Sequence, residues 1–211
     1  MSTQVKIHKQ HNTFFVTLPS LENADNHPIL TLIGSLLDTN LLPFVRQHNA
    51  NTFQFVAASV ECVQNSNREN PDSWRHAESF THSLATQLKY FIDVHQVCPL
   101  FFPPENLFVI NNTQLIYFGT DFHEICPRTG TVLLTTPFRI TSDLAPEMRV
   151  IRELPARIPH QVVYYHFASA VMRVLSCGDG NPPLFMLETK WYHMMLRCLR
   201  LNPTKRTVLY V

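Results

Sequence analysis

The residues able to do chemistry are few, and most stand alone. Cys177 lies in Cys177-Gly-Asp-Gly180, the one cysteine in a glycine-rich setting, with His160 and His166 upstream as distant bases. A thiol within reach of an imidazole would make a covalent nucleophile. The simpler reading of Cys177-Gly178 is the C-terminal end of a helix, with the glycine in the left-handed conformation. Neither G-x-S-x-G nor H-E-x-x-H occurs, so the chain has no nucleophile elbow and no zinc-binding helix of that type. His76, His82 and His95 are not spaced with acids or cysteines on one face. They read as surface or capping histidines, not metal ligands.

The stretch that organises the chain runs from Cys98 to Gly119, CPLFFPPENLFVINNTQLIYFG. It reads as loop, short strand, turn, short strand, loop. Pro104-Glu105-Asn106-Leu107 followed by Tyr117-Phe118-Gly119 resembles the catalytic loop and metal-binding loop of a protein kinase, where P-E-N is followed by two short strands and D-F-G. The resemblance puts Phe101 at the catalytic base, Pro103 at the neighbouring lysine, Pro99 at the histidine and Tyr117 at the metal-binding aspartate. Phosphoryl transfer needs a carboxylate for the hydroxyl proton and carboxylate oxygens to hold magnesium on the nucleotide phosphates. Phe101 and Tyr117 supply neither. Asn106 keeps one amide oxygen, a weak site for a hard dication. The resemblance therefore implies a degenerate kinase-like fold with no catalytic residues, no metal and no cofactor.

The elements around this stretch follow in order. Phe14 to Leu18 is a β-prone run that stops at Pro19, with Gln4 to His8 as a pairing strand. The only glycines are Gly34, Gly119, Gly130, Gly178 and Gly180, so no glycine loop near the N-terminus can cradle phosphates. Lys6 and Lys9 read as solvated. Asn26 before Pro28 starts a helix, and Ile29, Leu32, Ile33, Leu36 and Leu37 repeat at helical spacing. Ile29 to Leu37 contains no acid, so the family's lysine–glutamate pair has no counterpart. Leu41 to Val45 and Thr52 to Val60 read as strands, and Gln64 to Pro71 as a polar loop. Asp72 or Ser73 caps a helix carrying Phe80, Leu84, Leu88, Phe91 and Ile92 on one face. Asn111-Asn112-Thr113 fits a glycosylation acceptor, yet reads more simply as the turn between two strands.

Thr120 to Thr141 occupies the place of an activation loop. Ala145-Pro146-Glu147 then matches the family's A-P-E, and Asn202-Pro-Thr-Lys-Arg206 resembles its closing D-P-x-x-R. Between them lie a long apolar helix, Gln161 to Leu175, the turn Gly178 to Pro183 and an amphipathic helix, Trp191 to Leu201. In the family the arginine pairs with the A-P-E glutamate, so the resemblance implies a buried ion pair between Glu147 and Arg206. Phe118, Gly119 and Asn106 are the other structural signatures that it carries over. Tyr164 stands where the family's central helix begins with aspartate, and Ser169 at its small glycine. Both changes imply that packing has replaced the polar tether from this helix to the catalytic loop. The prolines with Phe101 and Phe102 are either an apolar surface or a filling of vacated nucleotide space; filling is expected, because exposed apolar clusters need a covering partner.

The 211 residues, 45% of them hydrophobic, suffice for one sizeable core. Seventeen basic against sixteen acidic residues give a formal charge of +1, and so no overall field for nucleic acid or an anionic membrane. Five scattered cysteines without C-x-x-C point to free thiols in a reducing compartment. No signal-like leader and no apolar run near 20 residues is present, which places the chain in the cytoplasm or nucleus. The expected fold class is α+β, mainly helical: a reduced N-lobe-like region of few strands and one helix over 1–62, and a kinase C-lobe-like region over 63–211. Such a chain is similar to the kinase non-catalytic C-lobe domain and to truncated viral kinase mimics. The resemblance implies recruitment of another protein through a groove of the helical lobe. The alternative is a regulator that docks on an active kinase, or that still senses nucleotide. The end at Tyr210-Val211 falls where a further helix is expected, which reads as a piece of a longer protein.

Overall fold

The first strand, β1 (Lys6–Gln10), turns at His11-Asn12 into β2 (Thr13–Thr17). In β2 Phe14 and Val16 are buried while Thr13, Phe15 and Thr17 stay partly exposed, the period-two pattern of a strand covered on one side. The computed structural model describes residues 5–19, 27–65, 71–141, 143–175 and 181–208. Asn26 as helix start, the middle of the Gln64 to Pro71 loop, Cys177-Gly178 as helix end and the Tyr210-Val211 terminus lie outside them.

Helix α1 (His27–Leu37) has Pro28 in its first turn and buries Ile29, Leu32 and Leu36 along one face. Strands β3 (Arg46–Asn49) and β4 (Thr52–Val56) complete an antiparallel sheet in the order β1-β2-β4-β3. Phe14, Val16, Phe53 and Phe55 fill its inner face, and α1 lies against β4. Leu41 to Val45 is not the strand expected from its sequence. Leu41, Leu42 and Val45 are buried as loop anchors, and Asn40 at φ 61 sets the reversal before them. The expected strand Thr52 to Val60 divides into β4 and β5 (Val60–Cys62).

Residues 71–76 form a 3₁₀ stretch, and α2 (Ala77–His95) starts later than Asp72 or Ser73. Phe80, Leu84, Leu88 and Phe91 make its buried stripe, and Gln96 in the left-handed conformation (φ 54) ends it. Strand β6 (Val97–Pro99) follows, then β7 (Leu107–Ile110) and β8 (Gln114–Tyr117), whose turn holds Asn111 and Asn112 at φ 51 and 59. Asparagine tolerates that region. Asn111 Oδ1 also accepts the Ala58 N–H at 2.7 Å, fixing the turn to the approach of β5. Strands β5, β7 and β8 form a three-stranded antiparallel sheet.

The segment Thr120 to Thr141, in the place of an activation loop, contains β9 (Phe122–Cys126) and β10 (Thr131–Leu134). Gly130 at φ 64 closes the turn between them. After the one-turn α3 (Pro146–Arg149) comes β11 (Ala156–Pro159), which completes a second four-stranded sheet, β11-β10-β9-β6. Helices α4 (Val162–Val174) and α5 (Lys190–Cys198) finish the fold. Trp191 on α5 is fully buried, its indole N–H donating to Thr81 of α2 at 2.7 Å.

The expectation of a mainly helical α+β fold is thus corrected. Among the described residues eleven strands in three antiparallel sheets stand beside five α-helices. The strands after residue 96 have only three to five residues. That is too short to show a period, and β11 meets a partner in β10 that lies a whole loop and helix away. A single cluster of buried side chains runs from Phe14 to Cys198 through regions 1–62 and 63–211. Among the described residues no helix is long and apolar enough to cross a membrane.

Candidate functional site: a cavity beside residues 101–106

Strand β6 delivers the chain into the loop Leu100 to Pro103, and a 3₁₀ turn, Pro104–Asn106, carries it into β7. Pro103 at φ −64, ψ 140 enters that turn, with the Asn106 N–H closing it on the Pro103 carbonyl at 3.0 Å. Phe102 points inward, 4% exposed, its ring edge-on to Tyr117 at 5.3 Å. Phe101 is only partly buried. It stacks on His166 at 5.0 Å and tilts toward Phe138 at 6.2 Å. The two phenylalanines therefore differ: Phe102 is buried, while Phe101 is partly exposed, and both line the same cavity.

Tyr117 and Phe118 diverge from the end of β8. Tyr117 is buried, and desolvation raises its phenol above the ordinary range, so it stays a neutral hydroxyl. Its ring lies over Gly119, where a Cβ would come within 2.1 Å of the phenol oxygen. Only glycine fits there. Phe118 packs among Phe53, Phe55 and Phe108 at 5.5, 6.0 and 5.2 Å, joining the β7–β8 hairpin to the N-terminal sheet. The Asn106 carbonyl accepts the Phe118 N–H at 2.8 Å, but the buried Asn106 Oδ1 has no hydrogen-bond partner. A magnesium nucleotide does not fit this donor set, because Phe101, Pro103, Asn106 and Tyr117 offer no carboxylate, only a neutral amide and a neutral phenol. Among the described residues no group of three or more His, Cys, Asp or Glu could hold a metal.

Beside Phe101 opens a cavity of about 540 Å³, whose apolar lining includes Phe101, Pro103, Leu134, Pro137 and Phe138. Its polar lining includes Asp121, Arg139, Asp143 and Arg173. Arg173 pairs with Asp143 and donates to the Phe102 carbonyl at 3.5 Å, tying α4 to both walls. A second, more polar cleft of about 390 Å³ lies between β1–β2 and β5, with Lys9 and Glu105 in its lining.

Two polar anchors stand in this part of the chain. Arg206 forms a two-pronged pair with Glu147, with Nη2 on Oε2 at 2.8 Å, and the arginine side chain is fully buried. Its Nε donates to the Arg200 carbonyl at 2.7 Å, Nη2 also reaches the Leu201 carbonyl at 3.2 Å, and the guanidinium lies 5.2 Å over Tyr165. The charge is thereby met on every side. His166 on α4 is the second anchor. Its Nε2 accepts the Ala145 N–H at 3.0 Å, so Nδ1 carries the proton and donates to the Leu100 carbonyl at 2.5 Å. Desolvation lowers its pKa to about 4, which keeps it neutral.

His166 corrects one sequence expectation. The helix is tied to the loop by a polar bond and not by packing alone; the donor is His166, while Tyr164 is partly buried and packs edge-on to His160. With both ring nitrogens engaged, His166 has no lone pair for a nucleophile. His160 differs: its Nδ1–H donates to the Gly130 carbonyl at 2.8 Å, which makes Nε2 the unprotonated nitrogen, and Cys177 lies outside the described residues. The sequence held one signal for His166, an imidazole in the largely apolar run Val162 to Val174.

The chain matches no model of a known protein family, and no curated protein matches it in sequence.

Proposed function

We propose that the chain is a catalytically inactive, kinase-like module that acts by protein–protein interaction, holding a segment of a partner in the cavity beside Phe101. The observation that carries this reading is Phe101 itself. At the position of a base stands an apolar ring, fixed on His166 and open on its other side to a lined cavity. The Glu147–Arg206 pair, which the resemblance calls for, supports the kinase-like part. Apolar surface of this kind gains from being covered. Free thiols at Cys62, Cys98, Cys126 and Cys198 support a reducing location, cytoplasmic or nuclear.

The test has two arms. Incubation with magnesium and ATP is expected to give no phosphoryl transfer and no melting shift, whereas a ligand at a hundred times its Kd adds about 2.7 kcal/mol. Phe138→Asp, at the cavity wall, is expected to release the partner that the wild-type chain retains, with the unfolding midpoint nearly unchanged. Turnover abolished by Asn106→Ala would overturn the reading. A melting shift with ATP and no turnover would move it to a nucleotide-sensing regulator, the alternative that the second cleft with Lys9 and Glu105 favours.

A further inference from the structure

A net charge of +1 is an average over the chain, and the fold sorts what the average mixes. Strands β1, β2, β3 and β4 contain no aspartate or glutamate, yet carry Lys6, Lys9, Arg46, His8 and His48. Register then sorts these by face. His8 lies opposite Phe15, Phe15 opposite Gln54, and Gln54 opposite Arg46, so one row crosses the sheet on its outer side. Lys6, opposite Thr17, lies on the same side. Lys9 belongs to the other face, 5.2 Å over Phe14.

The outer row is aromatic and open. The His8 ring stacks on Phe15 at 4.9 Å with 5° between planes, and His48 meets Phe15 edge-on at 5.2 Å. Lys6, His8 and Gln10 are exposed, as are all four residues of β3. From β1 to β3 is three strand spacings, roughly 14 Å. Lys6 and Arg46 thus stand on the two edge strands that flank the aromatic row, with Lys6 one row further along the sheet.

Flat rings between cations, with no acid among them, suit one kind of ligand. Bases stack on aromatic faces while backbone phosphates meet lysine and arginine, and this works without sequence readout. We propose that the outer face of the β1-β2-β4-β3 sheet binds single-stranded nucleic acid, with His8, Phe15 and His48 stacking bases and Lys6 and Arg46 taking phosphates. An acidic peptide would use the cations and leave the ring row without a role. The site is independent of the cavity beside Phe101 and stands whether or not that reading holds.

Fluorescence anisotropy of the full chain with labelled dT12 and rU12 tests it. Binding at 50 mM salt is expected, weakening about sevenfold by 200 mM, because each neutralised phosphate contributes a log–log slope near −0.7 and two are contacted. Phe15→Ala is expected to weaken binding about 5- to 150-fold, the range of one lost base stack. His8→Ala, at an exposed position, weakens it in the same direction without loading the fold, and Lys6→Glu with Arg46→Glu abolishes it. A preference between the two oligonucleotides would identify RNA or DNA as the ligand. No binding at 50 mM salt, an affinity for polyglutamate or polyphosphate equal to that for the oligonucleotides, or no effect of His8→Ala and Phe15→Ala together would each overturn it.

Discussion

His166 shows how one side chain can set both the position of a loop and the acid limit of the fold. In the folded chain desolvation holds its pKa near 4, below the ordinary histidine value of about 6.5. The unfolded chain therefore binds the proton first as pH falls. The stability tied to the neutral ring is complete above about pH 6.5 and is lost as pH drops through that value toward 4. From these two values the loss between pH 7.5 and 5 is about 2 kcal/mol. His166→Phe removes the titration and leaves the Leu100 carbonyl and the Ala145 N–H without partners, at about 1–3 kcal/mol each. Urea unfolding of both proteins at pH 7.5 and pH 5 checks this: the gap between them should narrow by about 2 kcal/mol at the lower pH. An equal gap at both would mean that the ring is charged inside the fold. The sequence shows such a residue only as an odd imidazole in an apolar run, because its two partners lie 21 and 66 positions away.

At the scale of elements, α2 was legible and its second task was not. Phe80, Leu84, Leu88 and Phe91 announce a buried stripe, but Ser83 and Gln87 look like its wet side. They are buried and take the open edge of β8. Ser83 Oγ accepts the Leu115 N–H at 2.9 Å, and the Gln87 amide accepts the Tyr117 N–H and donates to the Tyr117 carbonyl, both at 2.9 Å. Four helical residues rise about 6 Å and two strand residues about 6.6 Å, so an i, i+4 pair on a helix meets an i, i+2 pair on a strand. A polar i, i+4 pair beside an apolar stripe is the sequence signal for this arrangement. The short strands β6, β9, β10 and β11 offered no comparable signal, since pairing and not periodicity makes them strands. Gln87→Met keeps the volume and leaves two backbone groups of Tyr117 unpaired, which predicts a loss of about 2–6 kcal/mol. Hydrogen exchange should locate it, with the Tyr117 amide exchanging faster while the β1–β2 amides change no more than the global loss requires.

For the whole molecule the question is whether the N-terminal sheet and the helix-rich remainder unfold together. Phe118 sits among Phe53, Phe55 and Phe108, so the buried cluster has no seam at residue 62. A continuous core of this kind predicts unfolding as one cooperative unit. Glu147 and Arg206 test that coupling from the far end of the chain. Their spacing in A-P-E and N-P-x-x-R was readable in sequence; the carbonyls of Arg200 and Leu201 that complete the arginine's shell were not. Arg206→Met leaves Glu147 uncompensated, and Glu147→Leu leaves a buried guanidinium, each costing about 3–5 kcal/mol. That is a large part of the 5–15 kcal/mol of a typical domain. The double change Glu147→Leu with Arg206→Met should cost clearly less than the sum, because no lone charge remains. Thermal unfolding followed by Trp74 and Trp191 fluorescence and by far-ultraviolet circular dichroism should give one coincident transition in every variant, moved down by the single changes and partly restored in the double. Two separated transitions, with the sheet melting apart from the tryptophans, would divide the chain near residue 62 after all.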